Sequence, residues 1–497
     1  GDREQLSLAL PVFIATMRPQ LQWLEAFLLQ GILEDSRGEF GIVPQAGGGV
    51  VEVEGWWESY QLRESALIDC LPLSLYQQMV DGGKAVCILN IYASQNSSTA
   101  SGAANEDTRK VALSLYGRFC RGLQRHFSES GGRGGVGGVE SGEQLPLTRE
   151  VTPQSGPLSQ PLHQHPIHQG EGGALPLAEC LQAPLPPLQA MPWPVILRHV
   201  LWEPIEERCQ VMQERLMNVL MGSERLLARL ESVASVYLFA RGHGMHTFCE
   251  RLFSLVPHHH HPNPSSPGAN RGGGANAGML SLALTESLRS ALGDSAPLES
   301  DDTQFDCWRV EFPPNVESVT WRECPLIVHY KVPWPLNLIL SPAVLHQYNR
   351  LLNFIVPLKR AKACLDECPL LPGIPHPAVL FRFKLMHFTN ALQNYVMTRV
   401  IHSLWIELES KLEGVQSVSE LLELHGSYLQ KMTDRCLLSK RGTQVLETIK
   451  RALSVAVQFR GLLDSVAEGT WTSKEDDKME VLSSEFDNCM RFLTTVL

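Results

Sequence analysis

The sequence predicts an all-α protein of successive small helical bundles, with a small antiparallel β insertion near residues 307–332. Apolar residues recur every three or four positions over most of the chain, which is the period of helices that bury one face. Two-residue alternation, the period of strands, is convincing only between Cys307 and Val332. Hydrophobic residues make up 44% of the 497 residues, so the chain can form the cores of two or three domains.

Composition limits the classes of partner. The formal net charge of −11 argues against nucleic acid or an anionic membrane surface as the main partner. No run of ~18–20 apolar residues predicts a membrane span. The 12 cysteines are scattered through apolar segments, which is typical of reduced, buried thiols in the cytosol. Because the chain starts at Gly1 without methionine and ends inside a helical pattern, we expect it to be a fragment.

The first part of the chain predicts helices over 12–34, 67–80 and 111–126. Asp81-Gly82-Gly83-Lys84 is predicted to cap the second helix, and short extended pieces are predicted near 37–40 and 51–57. The Gly-Lys pair does not predict a phosphate-binding loop, because the upstream glycine and the following serine or threonine are missing.

Low-complexity composition marks two predicted disordered inserts, 127–190 and 257–278, which are rich in Gly, Ser, Pro and His. Between and after them, residues 192–253 and 280–292 are helical by pattern, with a break at Arg241-Gly242-His243-Gly244.

A strand-to-helix turn follows. The segment 307–312 alternates like a strand, and both 316–321 and 326–332 can supply antiparallel partners. Pro333 and Pro335 have no N–H and end the pairing. Ser341-Pro342 then starts a long amphipathic helix, since serine caps helices and proline suits the first helical position. Pro357 inside that helix predicts a kink of ~3 kcal/mol unless tertiary packing compensates.

The predicted helix over 381–409 has two unlike faces. The apolar face contains Leu385, Phe388, Leu392, Val396, Val400 and Leu404. The opposite face contains His387, Asn390, Asn394, Thr398 and His402. A solvated helix usually shows Glu and Lys there, whereas uncharged amides can form hydrogen bonds in an interface without the cost of burying a charge. An interface and a solvated or inter-helix face both remain open.

Catalytic and metal-binding patterns are not found in the sequence. It has no G-x-S-x-G, no H-E-x-x-H and no dinucleotide fingerprint. Cys364 and Cys368 are four apart, but no second pair lies at metal-ligand spacing. We therefore expect a scaffold without enzymatic activity, metal or cofactor.

Three segments carry a family resemblance. They are Y-K-V-P-W-P-L-N-L-I-L-S at Tyr330–Ser341, the stretch Lys384–Trp405 with L-Q-N-Y, and Leu421–Leu438 ending in C-L-L. They resemble the gamma-tubulin complex components, and weaker matches at Met17–Phe40 and Leu238–Phe253 extend the resemblance toward the start of the chain. D-R-C-L-L at Asp434–Leu438 and G-T-W at Gly469–Trp471 are most similar to the component five branch of that family.

The resemblance implies an elongated, all-helical arch that binds gamma-tubulin and stands beside other gamma-tubulin complex components in a ring that templates microtubule nucleation. It implies a place in the cytoplasm, in the cytoskeleton, at the centrosome or another microtubule-organising centre, and at the spindle pole. The resemblance also implies that gamma-tubulin binds the GTP and that this chain binds none. The implied domains are the end of an N-terminal grip domain at 1–126, its continuation at 191–256, and a gamma-tubulin-binding C-terminal grip domain at 279–497.

The candidate gamma-tubulin-binding residues lie on two helices. Four are on the earlier helix: Tyr348, Arg350, Lys359 and Arg360. Five are on the two-faced helix: His387, Phe388, Asn390, Asn394 and Thr398. The alternative is a helical-rod subunit of a vesicle-tethering complex, which would share the amphipathic helices but would not need the neutral face.

Overall fold

A computed structural model describes residues 2–33, 35, 39–44, 60–63, 67, 70–96, 114–129, 193–240, 242–255, 273–293, 307–311, 326–368, 374–467 and 471–496. The chain divides into two compact units, 1–48 with 58–212, and 49–57 with 213–497. The predicted insert 127–190 lies outside the described residues except at 127–129, and the insert 257–278 except at 273–278. The second strand candidate, 316–321, lies outside them as well.

The first unit is helical around one apolar core. Its elements are α1 (Asp2–Gln30), β1 (Ile42–Pro44), β2 (Tyr60–Leu62), α2 (Leu73–Asn96), α3 (Leu115–Glu129), α4 (Trp193–Leu197), a π-helical segment (Arg198–Trp202) and α5 (Glu203–Asn218), whose residues up to Met212 belong here. Leu21, Phe27 and Leu28 of α1 are buried against α2 and α3. Gly31 ends α1 with a φ of 69°, the left-handed conformation that favours glycine, and its N–H bonds Phe27 O at 3.0 Å.

The structure corrects two predictions in this unit. The segment Asp81-Gly82-Gly83-Lys84 does not cap a helix, because α2 continues through it to Asn96. The two glycines provide close packing instead: a Cβ on Gly83 would lie 2.0 Å from Phe27 Cε1, and one on Gly82 would lie 3.2 Å from Cys209 Cα. The strands β1 and β2 form an antiparallel pair that the sequence pattern did not identify as strands.

The second unit contains nine α-helices and one two-stranded sheet among its described residues. The helices are α6 (Leu226–Leu238), α7 (Gly242–Leu255), α8 (Gly273–Gly293), α9 (Pro342–Asp366), α10 (His376–Asn394), α11 (Ser403–Leu412), α12 (Val418–Arg435), α13 (Thr443–Ala467) and α14 (Ser473–Val496). The π-helical segment Tyr395–His402 joins α10 and α11 into one continuous helical run. Here α9 packs against α6, α10 and α13, while α13 packs along α14. The predicted all-α class with a small β insertion is confirmed.

The β insertion pairs β3 (Trp308–Glu311) with β4 (Ile327–Tyr330) in antiparallel register. Trp308 and Tyr330 are register partners whose rings stack with centroids 4.3 Å apart. Both free edges of the sheet are satisfied by side chains, since Asn349 bonds the N–H and the carbonyl of Val328 while Val310 N–H donates to Thr285 Oγ1. These contacts close edges that would otherwise invite further strands.

The strand-to-helix turn is confirmed. β4 ends at Tyr330, and α9 begins at Pro342 with Ser341 Oγ accepting the Val344 N–H at 3.4 Å. α9 continues through Pro357 to Asp366, and the buried proline ring packs inside the core. Tertiary packing thus holds the helix together where proline removes one of its backbone hydrogen bonds.

Candidate functional site

The neutral face predicted from the sequence lies on the continuous run formed by α10, the π-helical segment and α11. Its five residues are all exposed: His387, Asn390, Asn394, Thr398 and His402. On the opposite side Leu385, Val396, Val400 and Leu404 are buried, whereas Phe388 and Leu392 are half-buried. The two predicted faces are therefore the exposed and the core-facing sides of this run, and we call the exposed one the neutral face.

The π-helical segment, which the sequence pattern did not reveal, keeps the residues of the neutral face on one side of the helical run. In an α-helix a step of four residues overshoots one turn by about 40°. The wider π turn lowers the rotation per residue, so Asn394, Thr398 and His402 stay on one side. Ser403 Oγ donates to Thr398 O at 3.1 Å, five residues back, which supports a backbone carbonyl inside the wide turn.

Local hydrogen bonds orient two side chains of the neutral face. Lys362 Nζ of α9 donates to Asn390 Oδ1 at 2.7 Å. Thr398 Oγ1 donates to Asn394 Oδ1 at 3.0 Å. Each of these amides still has its NH₂ group available for a partner, since both contacts use the carbonyl oxygen.

Exposed apolar side chains flank the neutral face, and sequence reasoning missed them. Phe383 is 58% exposed, Tyr395 46% and Ile406 51%. Protein interfaces often contain large apolar side chains, above all aromatic ones. A solvated helix rarely exposes a cluster of them. The signal that could have found them is an aromatic residue outside the buried stripe, since Phe383 and Tyr395 do not share its spacing.

The structure buries two of the candidate residues, Tyr348 and Arg360. Tyr348 is 1% exposed, and its phenol lies 3.0 Å from His425 Nε2 inside the core. Arg360 is 2% exposed, donates to Phe253 O at 3.2 Å and covers the Phe253 ring. Their side chains hold α9 against its neighbours, so neither side chain is accessible to a partner at the surface.

Phe388 is also used within the chain. Its ring contacts Phe486 of α14 edge to face, with centroids 5.7 Å apart. Phe381 makes similar contacts with Phe459 and Phe486. The ring of Phe388 therefore mainly packs α10 against α14, and only part of the Phe388 side chain is accessible at the surface.

The two remaining candidates on α9 are separated from each other. The exposed Arg350 donates to Leu438 O at 2.6 Å, beyond the end of α12. Lys359 is half-buried, and its ammonium lies 5.8 Å from the centroid of the Phe239 ring. Nine residues of α-helix place their Cα atoms about 14 Å apart along the axis, so they do not form one cluster with each other.

The chemistry available in the described residues is sparse. Those residues contain no group of three or more His, Cys, Asp or Glu that could hold a metal ion. Burial raises the pKa of the Cys436 thiol to about 12 and that of Cys364 to about 11, so both stay protonated near neutral pH. Among the helices of the described ranges, none combines the length and apolar character that a membrane crossing requires.

Comparisons with known proteins agree with the motif resemblance. Residues 226–497 match the family model described as gamma tubulin complex component C-terminal. Gamma-tubulin complex component 5 of Macaca fascicularis is 24% identical over 572 aligned residues, which cover all of this chain and 75% of that protein. Gamma-tubulin complex component 5 of mouse is 23% identical, and the alignment covers 53% of its length. Human gamma-tubulin complex component 6 is 25% identical, and the alignment covers 56% of this chain and 15% of the human protein.

The family match covers more than half of the chain and includes the neutral face. The chain spans about half the length of the mouse relative, so that protein has further sequence outside the alignment. The Y-K-V-P-W-P and L-Q-N-Y motifs lie inside the matched region. The chain therefore belongs to the gamma-tubulin complex component family.

Proposed function

We propose that this chain is a non-catalytic scaffold subunit of a gamma-tubulin complex, which binds gamma-tubulin and helps to template microtubule nucleation. Support comes from the family match and from relatives that are named as gamma-tubulin complex components and, in Dictyostelium discoideum, as a spindle pole body component. We place it in the cytoplasm, at the cytoskeleton and at microtubule-organising centres, with the centrosome and the spindle pole as specific sites. Other gamma-tubulin complex components would stand beside it.

The neutral face carries the proposal for where gamma-tubulin docks. It offers amide, hydroxyl and imidazole groups at five exposed positions, and Phe383, Tyr395 and Ile406 add exposed apolar area beside them. Uncharged polar groups can be buried in an interface at lower cost than charges. Aromatic side chains supply the apolar anchors that interfaces use.

A second helix of the same unit shows what a solvated face looks like in this chain. The exposed side of α14 is dense in charge: Lys474, Asp476, Asp477, Lys478 and Glu480. The neutral face contains none of these residue types, and the exposed charged residues elsewhere on the run from His376 to Leu412 are Lys384, Arg399, Glu409 and Lys411. This contrast within one unit favours an interface over a solvated face.

The π-helical segment adds a further argument, because such segments inside α-helices are often found at functional sites. Three of the five residues of the neutral face lie within it or directly before it: Asn394, Thr398 and His402. Membership of the gamma-tubulin complex component family sets the vesicle-tethering alternative aside.

The test is a pull-down of purified gamma-tubulin with the full 497-residue chain. The variant Asn390→Glu/Asn394→Glu introduces two charges into the neutral face. The matched control Ser484→Glu/Asn488→Glu introduces the same charges four residues apart at exposed positions of α14. Circular dichroism checks that all three proteins are equally helical.

We expect gamma-tubulin to bind the wild type and the control, and to bind the Asn390/Asn394 variant at least tenfold more weakly, as for a desolvated charge without a partner. Equal binding by all three proteins would place the contact on another surface. A wild-type chain that fails to bind gamma-tubulin would contradict the proposed function.

A further inference from the structure

A cavity of about 440 Å³ opens between α7, α9 and α10. Its volume lies in the range of small-ligand pockets. The lining includes Phe239, Met245, Phe253, Lys359, Cys364 and Gln393. Neither the family match nor any relative's name assigns a role to this cavity.

Lys359 is an unpaired cation in the wall of the cavity. Within the described part of the chain its ammonium makes no hydrogen bond or ion pair, and it lies 5.8 Å from the centroid of the Phe239 ring. Lys362 and the Cys249 thiol are near enough to act on its charge. Burial lowers the pKa of Lys359, because a charged amine in this apolar setting loses hydration. Its neighbour Lys362 differs, since it pairs with Asp366 at 3.4 Å and with Asn390. An anion bound beside Lys359 would replace the lost hydration.

Gln393 supplies a second unmet group in the same wall. Its Oε1 is buried and has no hydrogen-bond partner among the described atoms. A buried acceptor without a donor costs free energy that a ligand N–H can recover. The wall thus presents the Lys359 ammonium and an acceptor without a donor. Two further cations in the lining, Arg360 and Lys362, are engaged with Phe253 and with Asp366 and Asn390.

Part of the cavity lining is apolar and uncharged. Phe239, Met245 and Phe253 are hydrophobic, and burial raises the pKa of Cys364 to about 11, which keeps that thiol neutral. An aromatic or aliphatic side chain is therefore a better match for this surface than a sugar or a nucleotide.

The charge of the ligand is limited to one negative unit. Three carboxylates also line the cavity: Glu250, Asp366 and Glu367. The side chains of Glu250 and Asp366 are 60% and 46% exposed and are paired with His246 and Lys362, and Glu367 is exposed. A dianionic phosphate would be repelled by these carboxylates and would find only one free ammonium. A single carboxylate meets that one ammonium without this penalty.

We propose that this cavity binds a carboxylate attached to a hydrophobic group with a neighbouring N–H, which is the chemistry of a peptide C-terminus or of an N-acylated hydrophobic amino acid. The carboxylate lies against Lys359, the N–H donates to Gln393 Oε1, and the side chain packs on the aromatic wall. The inference does not depend on gamma-tubulin binding.

The test uses two probes of the same shape, N-acetyl-L-phenylalanine, which carries a carboxylate, and N-acetyl-L-phenylalaninamide, which carries a neutral carboxamide in its place. Binding to the full chain is measured by saturation-transfer NMR titration at pH 7. The variants are Lys359→Met, which keeps length but removes the charge, Lys359→Arg, which keeps the charge, and Lys478→Met, which removes an exposed lysine of α14. Melting curves and circular dichroism verify that each variant is folded.

We expect the acid to bind with an affinity on the order of millimolar, as for a ligand of this size, and the amide to bind about tenfold more weakly. Lys359→Met should weaken the acid about tenfold and leave the amide unchanged, because the lost contact is charge-assisted. Lys359→Arg and Lys478→Met should keep the preference for the acid.

A short peptide, acetyl-Ala-Ala-Phe, separates the two sources of the ligand. Binding tighter than that of the capped amino acid assigns the cavity to a peptide C-terminus, and weaker binding assigns it to a free small acid. The inference is overturned if acid and amide bind equally, if neither binds, or if Lys359→Met binds the acid like the wild type.

Discussion

Tyr348 of α9 and His425 of α12 are joined by a hydrogen bond of 3.0 Å between the phenol oxygen and Nε2, in a core where both side chains are almost fully buried. His425 also stacks on Tyr428, with ring centroids 6.1 Å apart. This contact links α9, the helix that follows the strand-to-helix turn, to α12, which contains most of the family segment Leu421–Leu438. It explains why a tyrosine and a histidine, rather than two apolar residues, occupy these two core positions.

His425 should make the stability of the second unit depend on pH. Burial lowers its pKa from the ordinary value of 6.5 to about 4. Between these values the unfolded chain takes up a proton that the folded chain does not, so stability falls as pH drops from about 6.5 to about 4. The expected loss from this group is about 3 kcal/mol, from the size of the shift.

Urea unfolding at several pH values, on the wild type and on His425→Gln, measures this effect. Glutamine can still form a hydrogen bond with Tyr348 but does not titrate. The difference in unfolding free energy between the two proteins should change across this pH window, and a constant difference would contradict the assignment.

Tyr348→Phe should destabilise the second unit by about 1–3 kcal/mol, because it leaves the buried imidazole of His425 without its partner. Tyr395→Phe is the matched control, since Tyr395 is 46% exposed and its hydroxyl can reach water. The measurement is the urea midpoint at pH 7, where His425 is neutral in both proteins. Equal midpoints for the two variants would show that the hydrogen bond contributes no net stability.

Gly83→Ala should destabilise the first unit by about 1–3 kcal/mol through overpacking, since the new methyl group would lie 2.0 Å from the Phe27 ring. Gly426→Ala in the interior of α12 is the control, because a Cβ there meets nothing within 4 Å. That change should be neutral or stabilise by about 0.5–1 kcal/mol. Thermal unfolding followed by circular dichroism distinguishes the two outcomes, and similar shifts in both variants would contradict close packing at Gly83.

Asn349→Leu should cost about 1–3 kcal/mol, because it removes the acceptor of the Val328 N–H and one donor to the Val328 carbonyl, which keeps its hydrogen bond from the Tyr237 hydroxyl. Asn353→Leu, which removes a single bond to Leu326 O, should cost less. Hydrogen exchange at the Val328 amide provides the local measurement. It should become faster in the Asn349 variant, and unchanged protection there would show that the amide is held by something else.

Several features could be predicted from the sequence because they depend on local spacing. The alternation of Trp308 and Val310 predicted which side of β3 is buried, and Ser341-Pro342 predicted the start of α9. The spacing of Asn390, Asn394 and Thr398 predicted one shared side of a helix, and the structure places all three at the surface. Such patterns involve neighbours in sequence, so no knowledge of distant residues was needed.

Other features could not be predicted because they depend on residues far apart in the chain. The glycines at 82 and 83 suggested a helix end, yet they lie inside α2, since the close approach of Phe27 and Cys209 requires small residues there. Tyr348 and Arg360 suggested surface charge and recognition, yet His425 and Phe253 bury them.

By itself, the sequence determined the helical class, the strand-to-helix turn and the family motifs, because each is written in the order and spacing of nearby side chains. Only the tertiary structure decided which polar residues are accessible to a partner and which are buried, and it alone brought Lys359 and Gln393 into one cavity. The physical reason is that burial and charge pairing are properties of surroundings, and these are built from helices that lie far apart along the chain.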